Sequence, residues 1–294
     1  MKDEPLYSIS LAQWSLHRTI FANKMDPLDF PRAAREDFGI DAVEYVNGCF
    51  SRQYDSLSYL PELKQRSIDA GVRNLLIMID GEGRLGDPDE GRRIKAVENH
   101  YKWVEASREL GGHSIRVNAW SEGDLQTQHD LVVDGLSRLC AFGAEHDINV
   151  IVENHGGLSS NGAWLSSVIA AVGSDYCGTL PDFGNFLVKR SSETADGEEV
   201  RYDRYTGVAE LMPYAKAVSA KSHRFDRTGE ETGTDFERMM RIVLESGYRG
   251  YVGIEFEGDV LNEQDGVHAT KALLEKVRRA LEEDPAFDPA ATPS

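Results

Sequence analysis

The residues best suited to chemistry stand at regular intervals in the second half of the chain. Glu153 closes an apolar run in VIVENHGG (150–157), with His155 two residues on. Asp182 lies in LPDFGNF, Lys221 and His223 in AKSHRFD, and Glu255 in GIEFEG. Asp182 follows Glu153 by 29 residues, His223 follows Asp182 by 41, and Glu255 follows His223 by 32. Each comes after a short, β-branched run, which reads as a strand buried on both faces. Three carboxylates gathered in such surroundings repel one another unless a cation cancels their charge. A divalent metal does this, and an imidazole completes a mixed oxygen and nitrogen shell. Mn2+ or Mg2+ suits that set best, and Co2+ and Zn2+ are compatible with it. Taken singly, a strand-end glutamate is an ordinary rim residue, His155 a core histidine and Lys221 a counter-ion. Their recurrence on four successive strands is what points to a site.

To converge, these residues must sit at the same end of neighbouring strands. YSISLAQW, IDAVEYV, VRNLLIMID, HSIRVNAW, NVIVENH, YCGTLPDF, KAVSAKSH and YVGIEF read as strands, each followed by an amphipathic helical stretch, eight units in all. Such alternation implies parallel strands with right-handed crossovers. Eight units in a chain of 294 residues predict an α/β chain folded as a single (β/α)8 TIM barrel, one domain over residues 1–294. An open doubly wound sheet would want a glycine-rich turn after the first strand, and QWSLHRTIF has no glycine. Barrel strands lie about 4.8 Å apart, and their carboxyl ends form the active-site mouth. The polar segment at 189–205 falls between the sixth strand and its helix, where a loop could serve as a lid. The tail, 284–294, is expected to fray.

Composition excludes several classes of partner. The net charge of −18 would repel a nucleic-acid backbone. No stretch approaches the roughly 20 apolar residues that span a bilayer. MKDEPLYSIS lacks a basic region followed by an apolar one, so no signal peptide is expected. Cys49, Cys140 and Cys177 are far apart and form no CxxC, which suits buried thiols in a reducing compartment, with cytoplasm as the expected location. The acidic segment DRTGEETGTD (226–235) lacks calcium-loop spacing, and GEGRLG (81–86) comes too late in the chain to suggest dinucleotide binding.

VENHGG, PDFGNF, YDRYTGVAELMPYAKAVSAKSH and YVGIEFEG resemble the sugar isomerase/epimerase superfamily of xylose-isomerase-like TIM barrels. The resemblance covers nearly the whole chain and is most specific in its second half. It implies that Glu153, Asp182, a histidine of the seventh strand (His223 here) and Glu255 hold one divalent metal. It further implies that Glu153 and Glu255 flank the substrate as acid and base. Lys221, near the metal, would polarise a carbonyl or act as a base itself. One position departs from the pattern. Relatives carry the ligand histidine two residues before the lysine, where this chain has Ser219, while His223 lies two residues after Lys221. Should His223 not reach, water or His155 would take its place. Other mouth residues expected near substrate are Trp14, His17, Arg116, Asn118, His155, Asn185 and Arg227; Glu44 and Asn47 end the second strand at the same mouth, and Asp80 and Glu82 the third.

The implied activity is a metal-dependent sugar isomerase or epimerase acting through an enediolate on a free or keto sugar. Glu257 and Asp259 follow the eighth strand, where a phosphate would otherwise sit. Loss of a β-substituent from the same intermediate would make it a lyase or dehydratase on a keto-sugar, a keto-inositol or a 3-keto-glycoside. A repair endonuclease of the superfamily would need a histidine cluster and a basic face, against eight histidines and a charge of −18. A non-catalytic sugar-binding barrel would not need Glu153 and Glu255 together. The expected partner is a small-molecule sugar, and a homo-oligomer is compatible with the reading.

Overall fold

The computed structural model describes residues 5–50 and 58–287. The apolar runs fold as strands: β1 (Ser8–Ala12), β2 (Ala42–Val46), β3 (Arg73–Met78), β4 (Ser114–Val117), β5 (Asn149–Glu153) and β6 (Cys177–Leu180). After a two-stranded excursion, β7 (Leu187–Lys189) with β8 (Val200–Arg201), come β9 (Val218–Ser222) and β10 (Tyr251–Phe256). Among the described residues, eight strands form one sheet in the order β6-β5-β4-β3-β2-β1-β10-β9, parallel throughout. β6 and β9 then meet. Thr179 bridges Ala215 and Asp182 bridges Ser219. Phe183 N donates to Ser219 O at 3.1 Å and Ser219 N donates to Pro181 O at 2.9 Å. The sheet is thus a single (β/α)8 barrel, and its seam runs through two residues of the site.

Helices α1 (His17–Phe21), α2 (Phe30–Phe38), α3 (Tyr59–Asp69), α4 (Glu90–Leu110), α5 (Leu125–Glu145), α6 (Gly162–Val172), α7 (Arg204–Leu211), α8 (Phe236–Glu245) and α9 (Glu263–Glu282) surround the strands. Asp89, Asp124, Asn161, Asp203, Asp235 and Asn262 cap six of them by accepting from the backbone N–H three residues on. These caps fix where each mouth loop ends. Tyr7, Phe30, Tyr45, Phe183, Phe236 and Phe256 are among the fully buried side chains, and Cys49, Cys140 and Cys177 are buried and unbridged. No helix of the described residues is long and apolar enough to cross a membrane.

Three local expectations change. The first strand ends at Ala12; Trp14 lies in a 3-10 turn and His17 opens the short helix α1. The polar segment at 189–205 is a hairpin with a 3-10 turn, Ser191–Glu193, and α7 begins inside it at Arg204. The tail does not fray from residue 284. Pro285–Phe287 form a 3-10 turn, because Phe287 is buried and Arg241 both pairs with Asp284 and lies over the Phe287 ring. Residues 288–294 lie outside the described residues.

Candidate active site

Four adjacent strand ends, β5, β6, β9 and β10, bring the expected carboxylates together. Glu153, Asp182 and Glu255 are buried and each offers an oxygen within 4.8 Å of the others. Asp182 is aimed by its loop: its Oδ1 accepts from the N–H groups of Gly184 and Asn185, both at 2.8 Å, which leaves Oδ2 facing inward. Asn154 ties the tops of β5 and β6, donating to Asp182 O and accepting from Asp182 N. Asn185 Nδ2 donates to Glu153 Oε1 at 2.9 Å. Beyond His155 the chain turns on Gly156 and Gly157, whose φ of 83° and 63° are ones a β-carbon would strain.

Two buried cations face this cluster. Lys221 Nζ stands 3.3 Å from Glu255 Oε1, 3.1 Å from Glu257 Oε2 and 4.0 Å from Asp182 Oδ2. Arg116 Nε is 2.9 Å from Glu153 Oε2, and its Nη1 is 3.0 Å from Asp80 Oδ1. Asn118 donates to Asp80 at 2.7 Å and accepts from His155 Nδ1 at 2.9 Å. That fixes the proton on Nδ1 and leaves Nε2 of His155 as an acceptor. Trp14 donates its indole N–H to Glu257. Together Trp14, Asp80, Arg116, His155, Glu255 and Glu257 line a mouth cavity of about 50 Å3.

The expected fourth ligand does not join. β9 ends at Ser222, so the alternation that aims Ser219 and Lys221 inward lapses before His223. The His223 side chain is 48% exposed, 3.9 Å from Glu257 Oε2 at the rim. Ser219 holds the inward position instead, its Oγ 2.7 Å from Asp182 Oδ2 and 2.8 Å from Glu255 Oε2. One hydroxyl hydrogen serves one of these contacts, so the other needs a proton on the carboxyl side. His17 stacks behind Trp14, with centroids 4.3 Å apart, and pairs with Glu263 rather than the cluster. Arg227 is exposed on the turn after β9 and makes no described bond to the site. The sequence pattern marked Ser219 only as the place where relatives carry a histidine, and gave Glu257 too small a part. Their signal was parity: Ser219 with Lys221, and Glu257 with Glu255, are two apart.

Burial pushes the carboxyls of Glu153 and Asp182 up to about 7, against the pull of Arg116 on the first and Lys221 on the second. Burial alone would lower the Lys221 ammonium, but Glu255, Asp182, Glu257 and Glu153 outweigh it and hold it well above its ordinary range. Its carboxylate neighbours thus favour the charged form of Lys221. Burial and the neighbouring Arg116 and Lys221 keep His155 neutral by lowering it. One layer deeper, Glu44 accepts from Ser10 at 2.6 Å and is pushed by burial from 4.5 to about 7. Its Oε2 has no hydrogen-bond partner, nor has Oε2 of Glu153.

The donor set fits a divalent cation. Among the described residues, five carboxyl groups (Asp80, Glu153, Asp182, Glu255 and Glu257) pair with two positive charges, Arg116 and Lys221. The shortage of positive charge, a Glu153 oxygen that is ion-paired to Arg116 yet accepts no hydrogen bond, and the close triad are what a metal would relieve.

A family model described as xylose isomerase-like TIM barrel matches residues 32–280. A curated relative, the C-glycoside deglycosidase alpha subunit of Arthrobacter globiformis, is 36% identical over 86 residues, 28% of this chain. That match spans 24% of the relative's length. Among solved structures, a 3-keto-D-glucoside 4-epimerase from E. coli superposes with a TM-score of 0.67 at 17% identity, covering 93% of this chain and 100% of that one. A D-tagatose 3-epimerase-like protein gives 0.67 at 16% identity over 94% and 98%. A xylose isomerase-like TIM barrel protein from Mycobacterium smegmatis in complex with magnesium gives 0.68 at 15% over 95% and 98%. At these identities the structural likeness speaks to the fold. The family model covers most of the chain, and the chain belongs to the xylose isomerase-like TIM barrel family.

Proposed function

We propose that this chain is a divalent-metal-dependent sugar isomerase or epimerase acting on a non-phosphorylated keto sugar, with Glu153 and Glu255 as acid and base. One observation carries the reading: two buried carboxylates stand three strands apart in the ring, with Asp182 between them and fixed cations beside each. Glu153, Asp182 and Glu255 would hold the metal, with Ser219 in the fourth inward position. When bound, that ion supplies Lewis acidity beside a substrate carbonyl. One glutamate removes the carbon-bound proton and the other returns it, to the neighbouring carbon in an isomerase or to the opposite face in an epimerase. The Lys221 ammonium and Arg116 guanidinium face the negative charge that develops as the proton leaves. His155 Nε2 and the Asn185 amide would orient hydroxyls. With His223 at the rim, the donors are all oxygen, which favours Mn2+ or Mg2+ over Zn2+.

The match to a C-glycoside deglycosidase alpha subunit favours a second reading, elimination from a keto-glycoside through the same proton abstraction. Free and 3-keto sugars incubated in D2O with Mn2+ separate the two. Deuterium in a rearranged sugar marks the first reading, and release of a leaving group marks the second. Glu153→Gln and Glu255→Gln should each slow exchange by about 10²–10⁴-fold, the worth of a positioned general base. Near-full exchange in both variants, with Lys221→Met inactive, would replace the paired glutamates by a lysine-centred chemistry.

A further inference from the structure

Beside the mouth, the loops after β4, β5 and β6 enclose a much larger cleft of about 810 Å3. The mouth cavity, at about 50 Å3, is much the smaller of the two. His155 lines both the mouth cavity and the cleft, so a ligand at Glu255 has the cleft as its neighbour. Asn185, which holds Glu153, lines the cleft as well. The two spaces adjoin at His155, and the outer one is of the size that takes small organic molecules, about 300–1,000 Å3.

The outer part combines an aromatic face with polar and charged neighbours. Trp120 is 40% exposed there, and its indole N–H is anchored to His155 O at 3.4 Å. Its ring lies nearly parallel to that of His155, 13° between planes at 6.1 Å. Phe186 and Val188 line the same cleft. Lys189 of β7, which has no described ion pair, lines it too, with Arg190, Arg201 and Glu193, in a chain whose net charge is −18. Aromatic faces stack on such platforms, and a free ammonium favours an anionic substituent.

We infer that this cleft is an aglycone subsite: the substrate is a glycoside carrying an aromatic group, with the sugar at the mouth and the ring on Trp120. The inference rests on the reading of the mouth as a sugar site.

Calorimetric titration in Mn2+ tests both, using methyl β-D-glucoside, phenyl β-D-glucoside, 4-carboxyphenyl β-D-glucoside and 4-hydroxybenzoate. The phenyl glucoside should bind about tenfold tighter than the methyl glucoside, and the carboxyphenyl glucoside tighter still. Trp120→Ala should bring the phenyl and methyl affinities within about twofold, with the thermal midpoint held. Lys189→Ala should remove only the advantage of the carboxylate. Equal affinities for phenyl and methyl glucosides in the wild type, or no binding of any probe by folded protein, would overturn the subsite. Trp120-dependent binding of 4-hydroxybenzoate that no glucoside improves upon would keep the aromatic cleft and overturn the sugar reading.

Discussion

Ser219 decides what kind of metal this mouth would prefer. Its hydroxyl lies between Asp182 and Glu255, whereas the imidazole of His223 sits at the rim. His223→Ala should therefore leave Mn2+ affinity within about twofold, while Ser219→His adds a nitrogen donor at the inward position. Competition with a chromophoric chelator should show the Ser219→His variant gaining roughly tenfold or more for Zn2+ relative to Mg2+. Unchanged selectivity would mean that position 219 does not face the ion. Glu153, Lys221 and Glu255 were legible in the sequence because each ends, or lies in, a strand whose alternation aims it inward, whereas Asp182 lies two residues past β6 and is aimed by its loop. His223 was misread because alternation was carried one residue past the end of β9. Trp120 was not legible as a cleft residue: its place depends on how the loops after β4 and β6 face each other, which no local pattern encodes.

At the scale of elements, alternation exposed all eight barrel strands, because buried parallel strands are continuous apolar runs and amphipathic helices repeat at another period. The hairpin β7–β8 was hidden by its polar connection, SSETADGEE, which reads as loop. Lys189 and Val200 face each other across it, and Leu187 faces Arg201. Replacing 190–199 by Asn-Gly would close the same pair with a two-residue turn. The hairpin packs at the rim and lies outside the barrel sheet. The thermal midpoint should then shift by no more than about 2–4 °C, what roughly 1 kcal/mol produces in a domain of some 150–250 residues. Affinity for the phenyl glucoside should fall towards that for the methyl glucoside, since part of the cleft wall is removed. A variant that no longer folds would show instead that the hairpin supports the barrel.

For the molecule as a whole, the buried acids tie stability to pH. Glu44 is the clearest case, being below the triad and held mainly by its burial and by Ser10. Its space is closed: a β-carbon on Gly253 would come within 2.5 Å of Glu44 Oε1. Its carboxyl titrates at about 7 when folded against an ordinary 4.5. Below 4.5 it is neutral in both states and weighs on neither. As pH rises towards 7 the unfolded chain releases this proton while the folded chain keeps it, so stability falls by at most about 1.4 kcal/mol per pH unit. Above 7 both states are ionised and the loss levels off. Glu153 and Asp182 act with the same sign. Buried His100, His113 and His155, each lowered chiefly by burial, act with the opposite sign below their ordinary 6.5. The whole-chain curve therefore mixes the two. A difference between wild type and Glu44→Gln cancels everything except Glu44, since glutamine keeps the Ser10 hydrogen bond and cannot ionise. Urea unfolding with a chelator present, at pH 5, 6, 7 and 8, should show Glu44→Gln gaining on the wild type between pH 5 and 7 and then running parallel to it. A gap that stays constant across the series would mean that Glu44 is ionised in the folded barrel at every pH tested, and that a cation or water reaches the layer beneath the site.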